Sequence, residues 1–439
     1  MRSCPLLLAL ARIGVSGVVS CGDGFRPAVS TASTVSEPVP QAAPRTIAGL
    51  HPSVVTLAST HFIVDAYNNI YAPLLPLFIP HLGLSLTAVG TLAMCFQMAS
   101  SVSQLGFGAL ADRWRPRVLL IAGPLLSVIV LSCVGWASSP ITLGALLVLG
   151  GLGGAAFHPP AAAGVFHASG PNKGFAMSVH ITGGSVGMAM APLFFAPTIE
   201  RLGLHWSPII AVPGLLALWF LLRRVPPVQR GPAGQREGFG ALRPYAKPLT
   251  LLYFSVVLRT LTSASFSVFM PVLLTSQGMS IANASLAVTC YLLVSGVGGF
   301  AGGTLADRFG PRRVILISLV SAVPFMVAAA MLEGWWLAAA VSIGGLLLQS
   351  TLPVNVTYAQ MLAPVGAATV SSLMMGFAWG VGSTMVPVVG LLGDTMGLPR
   401  ALLCISVVPL LAAVLAAQLP ERQTRAVQPH QPTPPDAAL

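Results

Sequence analysis

Apolar residues along this chain come in long uninterrupted runs, separated by short breaks that hold nearly all the charge. The runs fall at 53–80, 86–110, 117–138, 141–166, 174–200 and 205–223, then at 249–275, 282–306, 313–332, 335–360, 367–393 and 399–419. Each is close to or above the roughly 20 residues that a helix needs to cross a bilayer core. Alternation over about ten residues, the mark of a transmembrane β-barrel, is missing. The pattern predicts an all-α integral membrane protein with twelve transmembrane helices. A break at 225–248, rich in Pro and Gly and holding one acid, Glu237, divides them six and six. The predicted organisation is a six-helix bundle at 51–224, a linker at 225–248 and a second six-helix bundle at 249–420. The polar, Pro-rich tail at 421–439 reads as disordered.

The two bundles are related. Gly108-Ala-Leu-Ala-Asp112-Arg113-Trp-Arg115-Pro116-Arg117 is echoed 195 residues later by Gly303-Thr-Leu-Ala-Asp307-Arg308-Phe-Gly310-Pro311-Arg312. The same offset carries Pro76 onto Pro271, Gly187 onto Gly382 and Pro192 onto Pro387. A long internal period in so apolar a chain points to two pseudo-symmetric membrane halves, an architecture common among secondary transporters.

Composition agrees. Hydrophobic residues make up 55% of the chain and charged residues 8%, against about 25% charged in soluble proteins. The formal net charge of +11 then reports orientation. With the N-terminus cytoplasmic, every Lys and Arg falls on the inner side except Arg201, Arg400 and, within a span, Arg259. The positive-inside rule thus predicts a multi-pass protein of the cell (inner) membrane with both termini cytoplasmic. Nucleic-acid binding would need basic residues gathered with aromatics on one domain, which these are not. The six cysteines are scattered singly, without metal-ligand spacing, and read as small hydrophobes.

The first fifty residues are less regular. Leu6 to Val19 is apolar behind Arg2, and Val18-Val19-Ser20-Cys21 superficially resembles a lipoprotein cleavage site. Arg12 interrupts that run, and a translocated N-terminus would conflict with the charge pattern. Residues 1–50 are therefore expected to be a disordered cytoplasmic extension or an upstream start, in preference to a processed signal.

The duplicated Gly-x-Leu-Ala-Asp-Arg-x-x-Pro-Arg loop resembles the signature of the major facilitator superfamily, and the resemblance covers about residues 50–420. In that family these loops act as cytoplasmic latches that bias inward against outward opening. The resemblance assigns that role to Gly108, Asp112, Arg113 and Arg117, and to Gly303, Asp307, Arg308 and Arg312. Physically, glycine lets helices approach closely, and a carboxylate can meet a helix N-terminus or an arginine. Gly187-Met-Ala-Met-Ala-Pro192 resembles a degenerate antiporter motif, with Ala191 in place of its second glycine. Gly187, Pro192, Gly382 and Pro387 also suit ordinary helix packing.

Ionisable groups inside spans cost roughly 2.5–3.5 kcal/mol each on insertion scales, so they are functional candidates by default. Span 1 holds His61 and Asp65 four residues apart, with Asn68 and Asn69 on the same stripe. Span 7 holds Arg259, which the repeat sets at nearly the depth of Asp65. Span 4 adds His158, span 5 His180, and span 10 Gln349, Asn355 and Tyr358. Together, His-x3-Asp in helix 1, Phe157-His158-Pro159 in helix 4 and an arginine in helix 7 resemble the fosmidomycin-resistance branch of drug efflux proteins. That branch carries an acid after its His-Pro pair, where this chain has Pro160.

The expected function is secondary active transport of a small molecule by alternating access, as proton-coupled efflux. Asp65, His61 and His158 are expected to handle protons, and Arg259, Asn69, Gln349, Asn355 and Tyr358 to meet substrate. Asp65 and Arg259 are expected to attract each other in alternation with substrate. A proton-coupled importer of a small organic anion suits Arg259 equally well. An intramembrane enzyme is disfavoured, because no nucleophile motif accompanies the Ser, His and Asp present. A channel or transport-dead receptor would bind without turnover. No phosphate-binding Gly-rich motif is present, and no cofactor, metal or nucleic acid is called for. The protein is expected to be monomeric in the lipid bilayer.

Overall fold

The computed structural model describes residues 50–113, 115–170, 173–225, 239–363 and 367–421. Most of the 1–50 extension, the centre of the linker and the tail beyond Glu421 lie outside the described residues. Twelve helices are long and apolar enough to cross a membrane. They are α1 (Pro52–Leu82), α2 (Leu86–Ala111), α3 (Pro116–Trp136), α4 (Pro140–Ala168), α5 (Lys173–Leu202) and α6 (Leu204–Leu222). After the linker come α7 (Leu242–Ser276), α8 (Ile281–Phe309), α9 (Pro311–Met331), α10 (Gly334–Leu362), α11 (Val370–Met396) and α12 (Leu398–Ala417).

The helix ends follow local chemistry. Ser85 caps α2 by accepting from the Ala88 N–H, and Ser139 forms a capping box with Thr142 at the start of α4. Pro116, Pro140 and Pro311 open their helices where a missing N–H costs nothing. Between α1 and α2 the chain reverses at Gly83, whose φ of 61° needs a residue without a side chain. Helix α7 begins earlier than the apolar run alone predicts. A tight turn at Phe239–Tyr245 leads into it, so helical structure reaches into the predicted linker.

Several helices depart from regularity in ways that matter below. Helix α1 is interrupted at Asn69 and Ile70, between Pro52–Asn68 and Tyr71–Leu82. Helices α2 and α11 each contain a π-helical turn, at Met98–Val102 and Leu373–Phe377. Large apolar side chains such as Trp206, Phe220, Ile317 and Leu411 stay exposed on the outside, as a lipid-facing surface requires.

The repeat seen in sequence is also a repeat of packing. A Cβ on Gly187 of α5 would strike the carbonyl oxygen of Phe62 on α1. A Cβ on Gly382 of α11 would lie 2.9 Å from the carbonyl oxygen of Val257 on α7. Both contacts are related by the same 195-residue offset. Each half thus presses a small-residue face of its fifth helix against its first, as small residues allow in membranes. Between the halves, α2 meets α11, α5 meets α8, and α1 meets α7.

Candidate functional site

Two polar clusters are buried in the helical core, one in each half. The first is built on α1. His61 and Asp65 lie one helical turn apart on the same face, and His61 Nε2 sits 3.1 Å from Asp65 Oδ2. His158 of α4 brings its Nε2 to 3.5 Å from Asp65 Oδ1. From α5, the ring of His180 stacks on His61 with centroids 4.3 Å apart, and its backbone carbonyl lies 2.8 Å from His61 Nδ1. Gly184 makes this possible, since a Cβ there would collide with both the Asp65 carboxylate and the His61 ring. Two imidazoles therefore meet one carboxylate, and a third stacks on the first.

This geometry fixes where a proton sits. A carbonyl oxygen only accepts, so His61 Nδ1 must carry a hydrogen to bond His180. His61 Nε2 then faces a carboxylate oxygen at hydrogen-bonding distance. A bare ring nitrogen and a bare carboxylate would repel there. The contact needs one further proton, either on the ring or on the acid. The pair therefore shares one proton between ring and acid. His61, Asp65 and His158 also present ligand atoms within 4.8 Å of one another, a spacing that a metal ion could bridge and that a shared proton already satisfies.

The second cluster surrounds Arg259 on α7, a guanidinium only 1% exposed. One terminal nitrogen donates to Gln349 Oε1 of α10 at 2.6 Å, and the other to Thr260 Oγ1 at 3.2 Å. The guanidinium carbon lies 5.8 Å from the ring centroid of Trp379 on α11. Arg259 Nε and Trp379 Nε1 are both buried without a hydrogen-bond partner. Among the described residues no carboxylate pairs with Arg259. Burying an uncompensated cation is costly, so Arg259 is a candidate partner for an anionic group.

The expected Asp65–Arg259 pair is therefore not formed in this structure. Asp65 turns to the imidazoles of its own half and Arg259 to Gln349 of the other. Equal depth along the repeat does not make two side chains point at each other.

The remaining predicted residues divide. Gln349 joins the Arg259 cluster directly. Asn355 lies in the same half on α10, buried, with Oδ1 unpartnered and Nδ2 3.4 Å from Thr351 Oγ1. Asn69, at the interruption of α1, spends its amide on the Met188 carbonyl of α5 at 2.9 Å. Tyr358 turns away, donating to the Pro420 carbonyl just past the end of α12. Pro192 is buried within α5, and Pro387 packs on Gly90 of α2.

At the latch loops, a Cβ on Gly108 would make only an ordinary 3.7 Å contact with Pro159, and one on Gly303 would meet open space. Close approach falls one residue earlier in α8, where Gly302 abuts the Ser350 carbonyl of α10. Asp307, Arg308 and Arg117 are exposed. Arg312 pairs with Glu421 at 3.6 Å and bonds the Ala417 carbonyl. Asp112 and Arg113 end the helical stretch that closes α2, and their side chains lie outside the described residues. Sequence reasoning named His180 as a candidate without assigning it a role, and missed Gly184, Trp379 and Glu421. The repeat could have exposed two of these, because Gly184 and Trp379 are equivalent positions.

Comparison with known proteins gives a consistent answer. The profile of the Major Facilitator Superfamily matches residues 57–255 and 252–437. The uncharacterised MFS-type transporter YfnC of Bacillus subtilis is 29% identical over 389 residues, covering 85% of this chain and 94% of YfnC. The fosmidomycin resistance protein of Escherichia coli is 27% identical over 378 residues, covering 84% and 92%. The multidrug resistance protein MdtG of Citrobacter koseri is 25% identical over 294 residues, covering 63% and 71%. Among solved structures, an inward-facing bacterial homologue of the human lysosomal transporter Spinster superposes with a TM-score of 0.73 at 18% identity, covering 83% of this chain and 95% of that one. The nucleoside transporter NupG gives 0.67 at 13% identity, covering 83% and 98%. The chain belongs to the major facilitator superfamily. It is a multi-pass membrane protein and a secondary transporter of a small molecule that works by alternating access.

Proposed function

We propose that this superfamily member exports a small molecule bearing an anionic group in exchange for protons. The carrying observation is the His61–Asp65 contact. With Nδ1 committed to the His180 carbonyl, it requires one exchangeable proton between ring and acid. His158, on the other carboxylate oxygen, offers that proton a second station. The unpartnered donors of Arg259 and Trp379 supply the anion seat, with Gln349 orienting the guanidinium and Asn355 nearby in the same half. Asn69 would meet substrate only after leaving Met188, and Tyr358 only after leaving Pro420. Efflux is favoured because two of the relatives are named for resistance to fosmidomycin or to multiple drugs.

In this reading both termini and the linker are on the cytoplasmic side of the inner membrane, which the distribution of basic residues supports. The loops at Gly108–Arg117 and Gly303–Arg312 then form the cytoplasmic end, where the latch residues act. The protein works as a monomer, each half supplying one cluster. Proteoliposomes with a pH-sensitive dye test this reading. Adding a substrate anion should release protons from vesicles that were loaded by an inward proton gradient. Proton uptake together with substrate would instead establish the importer.

A further inference from the structure

At one end, among the described residues, one side chain hydrogen-bonds from one half to the other. Asp394, near the end of α11, accepts from the Leu86 N–H at 2.8 Å through Oδ1. Through Oδ2 it accepts from the Thr87 N–H at 2.9 Å and from the Thr87 hydroxyl at 2.6 Å. These are the first residues of α2, in the opposite half. A helix N-terminus leaves its first four N–H groups without partners and carries about half a unit of positive charge. Ser85 satisfies Ala88 from within the chain, and Asp394 satisfies Leu86 and Thr87 from across the interface. The carboxylate completes a cap that α2 does not build for itself.

The backbones beneath the clamp are in contact. A Cβ on Gly90 of α2 would lie 2.7 Å from the Val386 carbonyl oxygen of α11, and Gly390 of α11 abuts the Leu86 carbonyl. Further along, the π-helical turns of the same two helices approach each other, where a Cβ on Gly376 would lie 3.5 Å from the Ser101 carbonyl oxygen. The opposite end differs, with Asp307 and Arg308 exposed and no salt-bridge partner for Asp307 among the described residues. The clamp is also single. The repeat sets Ile199 of α5 at the position of Asp394, with the exposed Glu200 one residue on, and among the described residues no carboxylate bonds the start of α8.

We propose that Asp394 is the gate residue of this end. Its carboxylate holds α2 against α11 in the state seen here and must let go of Leu86 and Thr87 before that end can open. The inference rests on the alternating-access reading but not on the direction of transport or on proton coupling. In its absence the α2 N-terminus would regain water as partner, so the cost of opening falls. A charge-assisted contact of this kind shifts an equilibrium by on the order of tenfold at a water-exposed site.

The test uses spin labels on cysteines placed at His81 of α1 and Arg400 of α12, both exposed at this end, in a background freed of other cysteines. Purified protein in nanodiscs, with no gradient applied, gives the distance distribution. Asp394→Ala should enlarge the long-distance population by about tenfold. Thr87→Val, which keeps the carboxylate and both backbone bonds, should shift it the same way by less. That milder variant also reads the gate if the alanine protein does not fold. Distributions unchanged in Thr87→Val and in any folded Asp394→Ala protein would overturn the proposal. So would lowered thermal stability without a shift in distance, which marks a merely structural contact. Because no substrate or proton gradient enters, failure of the export reading leaves this result interpretable.

Discussion

Gly184 and Trp379 occupy equivalent positions in the two halves, 195 residues apart, and they do opposite things. Gly184 withdraws its side chain so that His61 and Asp65 can lie against α5. Trp379 extends its ring beneath the Arg259 guanidinium and adds an unpaired N–H beside it. One packing, repeated at Gly187 and Gly382, thereby stands behind a His–Asp contact in one half and a buried guanidinium in the other.

The proton site predicts that Asp65→Asn abolishes proton-driven transport while substrate counterflow without a gradient persists. An asparagine can still bond His61 Nε2 but cannot take up a proton. Counterflow and gradient-driven flux in the same proteoliposomes separate the two. Normal gradient-driven flux in this variant would remove Asp65 from the mechanism.

For the anion seat, Arg259→Gln should weaken substrate binding by roughly ten- to a hundredfold, the worth of a hydrogen bond to a charged group. Arg259→Lys should not rescue it, because a point charge cannot replace a planar fork stacked over an aromatic ring. Equilibrium binding to purified protein measures this. Wild-type affinity in the glutamine variant would place the substrate elsewhere.

Because Asp65 and Arg259 keep to their own halves, their effects on stability should simply add. Unfolding of Asp65→Asn, Arg259→Gln and the double variant should show additivity within about 0.5 kcal/mol. A coupling of several kcal/mol, as for a buried ion pair that loses one partner, would restore the pairing that sequence symmetry suggests.

Glycine positions make a paired test. Gly187→Ala, which drives a methyl into the Phe62 carbonyl, should destabilise by about 1–3 kcal/mol, as overpacking does. Gly303→Ala, with open space around it, should change stability by less than about 0.5 kcal/mol. Equal losses at both would mean that the latch glycine packs in a way this structure does not display.

Orientation is checked by labelling. Cysteines at Arg201 and Arg400 should react with an impermeant reagent in intact cells, and cysteines in the 225–248 linker only in inverted vesicles. Linker labelling from outside would reverse the assignment of the latch loops to the cytoplasmic end.

Much of the architecture was legible because membrane helices announce themselves by length and apolarity, and because the duplication is written in Gly187 and Gly382 as plainly as in the loops. The His61–Asp65 pair was legible for the same reason, since a four-residue spacing on a helix puts two side chains on one face. His158 was named beside them, but the contacts that join these groups were not legible. His158 and the His180 carbonyl arrive from helices 4 and 5, and only the Gly184 packing brings the latter close. The supposed Asp65–Arg259 pair failed because a shared depth says nothing about rotation around two separate helix axes. Asp394 escaped notice because it lies near the end of an apolar run, where a carboxylate looks like an ordinary solvated charge.

Among the described residues, the groups around Asp65 come from α1, α4 and α5, and those around Arg259 from α7, α8, α10 and α11. Each cluster therefore travels as cargo within its own half when the halves rock. Under the proposed proton coupling, the side chains that touch the acid are then the same whichever side of the membrane it faces, and the reservoir it equilibrates with changes. On that proposal protons are not wrung off by pulling the site apart. The gearing it implies has to come from the transported molecule, whose presence decides whether a loaded or an empty carboxylate is permitted to cross.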